Sequence, residues 1–231
     1  HIDFVDIDPL SGLMSVDALK AKLELAERNG VLPKVLVPVH LTGSSCDMAE
    51  IGALSDRYGF SVLEDASHAI GGTYRGQHVG NCCYSSISVF SFHPVKIITT
   101  GEGGLATTND PMLYQRMLEL RSHGIVRDPE RFESQPASPW AYEQQRLGFN
   151  YRITDIQAAL GLSQLNRLKK IVDERNSLYM AYENLLSGLP LRMLSVPCDV
   201  KSSMHLGVIR LFKSSVETVS YTHLTLPTRA V

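Results

Sequence analysis

The chain has 231 residues, 44% of them hydrophobic and 20% charged. That composition excludes a disordered chain and suits one full-sized globular domain with part of another. A net charge of −2, from 22 Lys+Arg against 24 Asp+Glu, lacks the positive footprint of a nucleic-acid binder. No apolar run approaches the roughly 18 residues that a membrane-spanning helix needs. Neither nucleic acid nor membrane is therefore an expected partner. Cys46, Cys82, Cys83 and Cys198 show no C-x-x-C spacing. This argues against a disulfide scaffold or a Cys-rich zinc site and predicts a reducing, cytoplasmic setting.

Phe4–Ile7 reads as a short strand, and a chain that opens inside a strand is expected to lack an earlier segment. Ser15 is a candidate cap for a helix whose apolar residues Val16, Leu19, Leu23 and Ala26 recur at helical spacing. Asn29-Gly30 ends it. Val35–Val39 reads as a buried strand with Pro38 near its end. Asp47 caps a helix over Met48–Tyr58, stopped by Gly59, and Phe60–Leu63 follows as a strand ending on Glu64-Asp65. Ile87–Phe92 and Gly104–Thr108 read as two more strands, and Asp110 caps a helix from Pro111 to Arg121. The polar, aperiodic stretch Arg127–Gln145 reads as a long loop. A long amphipathic stretch runs from Asp155 to Leu186, with Gly161 inside it and a break expected near Lys170. Strands alternating with helices predict an α/β fold with a mostly parallel sheet, whose ligands bind at the carboxyl ends of the strands. At the far end, Val219-Ser-Tyr-Thr-His-Leu-Thr-Leu-Pro-Thr228 matches one reading frame of a common sequencing-library transposon end. Residues 218–231 are accordingly expected to be a non-native tail.

Four strand ends carry polar residues: His40-Leu-Thr-Gly43, Glu64-Asp-Ala-Ser-His-Ala69, Ser91-Phe-His-Pro-Val-Lys96 and Thr99-Thr-Gly-Glu-Gly-Gly104. Singly each is weak, and Gly101-Glu-Gly-Gly104 has neither Walker nor dinucleotide spacing. Together they suit pyridoxal 5'-phosphate (PLP). That cofactor needs a lysine amine to bond its aldehyde, a carboxylate to keep its ring nitrogen protonated, and hydroxyls or N–H groups for its phosphate. Lys96, Asp65 and Ser91 could supply all three.

These motifs resemble the DegT/DnrJ/EryC1/StrS sugar aminotransferases. So do Pro38-Val-His-Leu41 with Asp47-Met48, and Gly148-Phe-Asn-Tyr-Arg-Ile153 followed by Gln157-Ala-Ala-Leu-Gly161. The order and spacing hold from about residue 3 to 212. Within the family, His93-Pro-Val-Lys96 and Ser122-His-Gly-Ile125 look most like the pseudaminic acid branch. The resemblance implies the large domain of a fold-type I PLP enzyme, a mixed, mostly parallel sheet between helices. It implies residues 1–187 as that domain with its following helices, and 188–217 as the truncated start of a small domain, entered near Met204–Arg210. It implies that Lys96 bonds the cofactor and moves the proton, Asp65 pairs with the ring nitrogen, His68 lies by the ring and its 3-oxygen, and Ser91 binds the phosphate. Asn150 would reach the cofactor of a neighbouring subunit in a homodimer. Glu102 and His40 would line the pocket, and His93 would be structural. A nucleotide sugar would be the substrate and glutamate the amino donor. A sugar dehydratase on the same fold, which replaces the lysine with histidine, is disfavoured by Lys96. A metal-dependent hydrolase using Asp65, His68 and His93 lacks a paired ligand motif, and an inactive or regulatory fragment is the non-enzymatic alternative.

Overall fold

The computed structural model describes residues 1–135 and 138–212. The expected foreign tail, 218–231, lies outside the described residues, as do residues 213–217.

In chain order the elements are α1 (Val16–Arg28), β1 (Val35–Leu36), α2 (Met48–Tyr58), β2 (Ser61–Asp65), β3 (Thr73–Tyr74), β4 (Gln77–His78), β5 (Ile87–Ser91) and β6 (Gly104–Thr107). They continue as α3 (Pro111–Arg121), β7 (Ile125–Val126), β8 (Glu143–Gln144), α4 (Asp155–Leu165), α5 (Leu168–Leu185), β9 (Leu191–Met193), β10 (Val200–Lys201) and β11 (Ile209–Leu211). The main sheet has the order β1-β2-β5-β6; its first two pairings are parallel and β6 is antiparallel. The α/β class and the mostly parallel sheet thus agree with expectation.

Local chemistry sets the helix limits. The side chains of Ser15, Asp47 and Asp110 each accept an N–H of the first turn at the three predicted starts. Thr154 and Gln157 close a capping box at the head of α4. The break between the last two helices falls at Asn166-Arg167, a few residues before the expected Lys170.

Along β2 and β5 alternate residues face opposite ways. Val62, Glu64, Ser88 and Phe90 are buried. Leu19 and Leu23 of α1 join Ile51 and Leu54 of α2, Val62 and Phe60 in one core. The other face carries Val35, Val39 and Val89, all exposed. The registers Val35↔Ser61, Val39↔Asp65 and Asp65↔Val89 place Asp65 on that face, and Ser91, two residues after Val89, shares it.

Three expectations differ. Phe4–Ile7 forms no strand; Ile7 makes one isolated bridge to Met14, and Phe4 is exposed. Val35–Val39 keeps only Val35–Leu36 as a continuous ladder. Pro38 has no N–H to offer, yet its carbonyl accepts from Asp65 N at 2.9 Å, and Val39 bridges to Asp65. The stretch Arg127–Gln145 is not wholly irregular, because Glu143–Gln144 pairs with Ile125–Val126 as an antiparallel ribbon. The hairpin of β3 and β4, extended by β10, was not foreseen; two-residue strands carry no readable alternation.

That ribbon is fastened by Glu119 of α3, only 4% exposed, which pairs with Arg131 and with Arg146 at 3.3 Å. The Arg131 guanidinium is the main reason that its carboxyl group titrates below the usual range. A depressed folded value means stability present above the ordinary glutamate pKa and lost as pH falls through the folded one. Glu119→Gln should therefore speed hydrogen exchange in segment 125–146 several-fold at pH 7 and should flatten its acid dependence. Unchanged exchange at neutral pH would remove Glu119 as the anchor.

Candidate active site

Asp65 ends β2, and its Oδ1 accepts the N–H of Ser67 at 3.0 Å. Ala66 N donates to Val89 O at 2.8 Å, so the loop leaving β2 stays tied to β5. Ala66 and Ala69 are fully buried and anchor that loop, leaving His68 between them half-buried. Ser91 ends β5, half-buried, opposite Gly104. The chain then makes a closed excursion. Phe92 N donates to Gly103 O at 2.9 Å, Thr100 N to Phe92 O at 3.0 Å, and Lys96 N to His93 O at 2.9 Å. Buried Ile97 and Ile98 fix the excursion from below, leaving Lys96 half-buried above them.

The groups of this cleft sense one another. Burial first, then the charge of Lys96, pushes the His68 imidazole below its ordinary pKa, while the Asp65 carboxylate pulls it up. The structure thus brings Asp65, His68 and Lys96 together at the strand ends. A fourth group, His205, carries no site role in the sequence reading. Its ring lies 4.5 Å from that of His68, tilted by 45°. Burial, then His68, Lys96 and Arg175, pushes its pKa down to about 4. Nδ1 of His68 and Nδ1 of His205 are both buried without a hydrogen-bond partner among the described residues. No local signal marks His205, because only the long-range return of the chain carries it to His68.

His40 is fully buried behind the site rather than lining it. Its Nδ1 accepts the Cys46 N–H at 3.2 Å, and its Nε2 lies 2.7 Å from Glu64 Oε2. A backbone N–H only donates, so the ring proton sits on Nε2 and points to Glu64. Ser85 donates to the other oxygen of that carboxylate. This buried network braces β2 one residue before Asp65. Glu102 and His93 are exposed and 3.9 Å apart, at the rim.

Asn150 is exposed and is held by a backbone bridge to Ser122 at the end of α3. A Cβ on Gly148 would strike the backbone of His123 and Gly124, so only glycine permits this close approach. Beyond it, α4 docks on the turn after Lys96. Gln164 Oε1 accepts Thr99 N at 3.0 Å, Gln157 Nε2 donates to Glu102 O at 3.0 Å, and a Cβ on Gly161 would meet Thr100 Cγ2 at 2.7 Å. Among the described residues, no group of three or more His, Cys, Asp or Glu side chains could hold a metal ion, and no helix is long and apolar enough to cross a membrane.

Solved structures share this architecture. An aminotransferase of the DegT/DnrJ/EryC1/StrS type from Brucella abortus aligns with a TM-score of 0.77 at 30% identity, covering 89% of this chain and 52% of its own. Helicobacter pylori PseC, an aminotransferase involved in the biosynthesis of pseudoaminic acid, aligns at 0.80 and 30%, covering 96% and 54%. DesV of S. venezuelae aligns at 0.74 and 29%, covering 90% and 51%. The chain therefore spans about half the length of these relatives. The profile of the DegT/DnrJ/EryC1/StrS aminotransferase family matches residues 2–224, and the chain belongs to that family.

Proposed function

We propose that the protein carries out PLP-dependent transamination of a nucleotide-linked 4-keto-6-deoxy sugar in the cytoplasm, with glutamate as amino donor. The substrate we favour is UDP-4-keto-6-deoxy-N-acetyl-β-L-altrosamine, which would make the protein the UDP-4-amino-4,6-dideoxy-N-acetyl-β-L-altrosamine transaminase of pseudaminic acid synthesis. The observation that carries this reading is the placement of Asp65 and Ser91 on one face at the carboxyl ends of β2 and β5, with Lys96 half-buried on the turn that follows β5. The match to PseC supports the choice of sugar.

The residues present fit the cofactor. The half-buried amine of Lys96, the Asp65 carboxylate, the Ser91 hydroxyl on the same sheet face and the orphaned Nδ1 of His68 form the donor set it requires. When bound, PLP supplies a protonated ring that accepts electrons from the substrate carbon. Asp65 would hold the proton on that ring's nitrogen. Lys96 would bond the aldehyde and later carry a proton to and from the reacting carbon. Ser91 would bind phosphate, and residues 1–187 would form the cofactor-binding domain, with a small domain starting at 188.

The purified full-length protein should convert the UDP-linked 4-keto sugar and glutamate to amino sugar and 2-oxoglutarate. Production of 2-oxoglutarate with other nucleotide keto sugars but not with this one would retain the aminotransferase and reject the substrate.

Asn150, exposed in its own chain, would reach the site of the neighbouring subunit in a homodimer whose sites are shared. Inactive Lys96→Ala and Asn150→Ala subunits, mixed and allowed to exchange, should regain activity. Each mixed dimer then has one site with both defects and one with neither. Absence of recovery after demonstrated exchange would place Asn150 in a role within its own subunit.

A further inference from the structure

His205 is the buried ionisable group of this cleft that the reaction leaves unused. It arrives on a segment locked into the large sheet's loops. Ser202 and Ser203 are almost fully buried. Ser203 Oγ donates to the His68 carbonyl at 2.9 Å, and His205 N donates to Thr42 O at 2.7 Å. Arg175 Nη1 of α5 donates to the carbonyls of Met204 and His205 at 3.2 and 3.4 Å. Met204 and Thr42 both hold left-handed backbone, with φ of 49° and 62°. Such strain persists only where the surroundings over-determine it. One segment therefore grips the His68 backbone and also lays a second imidazole against its ring.

The chemistry of that contact is specific. The His68 imidazole feels both the positive charge of Lys96 and the negative charge of Asp65. Protonated, it would add a positive charge that competes through space for the field of Asp65, the carboxylate assigned to the cofactor's ring nitrogen. His205 works against this. Its ring covers one side of His68 and excludes water that would solvate an imidazolium. Without cofactor, Nδ1 of each ring has no hydrogen-bond partner among the described residues, so a proton added there would be buried and unpaired. Among the described residues, the charged groups that act on the pair are Lys96 and Arg175, both positive, and Asp65.

We propose that His205 is a positioning residue of the active site: packed on His68, it keeps that imidazole neutral and so leaves the Asp65 carboxylate free for the cofactor. Burial and positive surroundings hold both histidines below their ordinary pKa, as this arrangement requires. The assignment rests on the proposed cofactor site, but its test does not need turnover.

The test follows the His68 imidazole by NMR in the cofactor-free full-length protein, alongside His205→Ala and His205→Phe. In the unaltered protein His68 should titrate below the usual imidazole range. His205→Ala should move the midpoint upward, toward that range. His205→Phe keeps the covering ring and should restore the low midpoint. A folded Ala variant with unchanged His68 titration would overturn the proposal. Should the Ala variant fail to fold, the Phe variant decides: a His68 midpoint at the ordinary value would overturn it, and a low one would support it. In the loaded enzyme, the pH dependence of the cofactor's visible absorbance should shift in His205→Ala and not in His205→Phe. A normal His68 response in a protein that binds no PLP would reject the cofactor site while leaving the histidine pair intact.

Discussion

Lys96→Arg should abolish transamination in the full-length enzyme while leaving its fold unchanged. The side chain is half-buried on an excursion held by backbone bonds and by Ile97 and Ile98, none of which involves the amine. Arginine keeps the positive charge that His68 and His205 sense from this position. It cannot bond an aldehyde in place of the amine, and it does not give up a proton near neutral pH. Covalent attachment and proton transfer fail together, so multiple-turnover activity should fall by at least about 10⁴-fold. Borohydride treatment should fix cofactor to the parent protein and not to the variant. Sustained turnover by the folded variant would transfer the role away from Lys96.

Asp65→Asn should produce the second-largest loss and divide it unevenly. Asparagine has nearly the same size, and its Oδ1 can still accept the Ser67 N–H that Asp65 now holds at 3.0 Å. The buried brace of Glu64, His40 and Ser85 one residue earlier is untouched. What disappears is the negative charge that keeps the ring nitrogen protonated. The loss should fall on kcat, by roughly 10²–10³-fold, because a preorganised charge acts on the developing transition state. KM should change far less. Near-normal turnover would leave Asp65 a structural role only.

The helix caps and the motif order were legible in sequence because both are local. Ser15, Asp47 and Asp110 cap the helices expected of them, and Asp65, Ser91 and Lys96 lie at or just beyond the predicted strand ends. Phe4–Ile7 misled because an apolar run records hydrophobicity, not the presence of a neighbouring strand to pair with. His40 followed a strand like the site residues, yet whether it faced the cleft or the core depended on Glu64 and Cys46, which meet it only in three dimensions. His205 was out of reach for the same reason. Its partners Thr42, His68 and Arg175 are scattered along the chain.

The contact between Ser203 and His68 joins residues 135 apart in sequence. Closing a loop of that length costs about 4 kcal/mol of chain entropy before any contact made there is rewarded. The helices α1 and α2, whose contacts are local, form without that cost. The cleft is therefore expected to be completed after the core that supports it. On a ribosome adding about 5–20 residues per second, roughly 7–27 s separate the emergence of His68 from that of Ser203. During that interval the nascent chain can hold native helices around an unfinished site. Refolding should likewise recover far-ultraviolet circular dichroism before it recovers the capacity to bind cofactor.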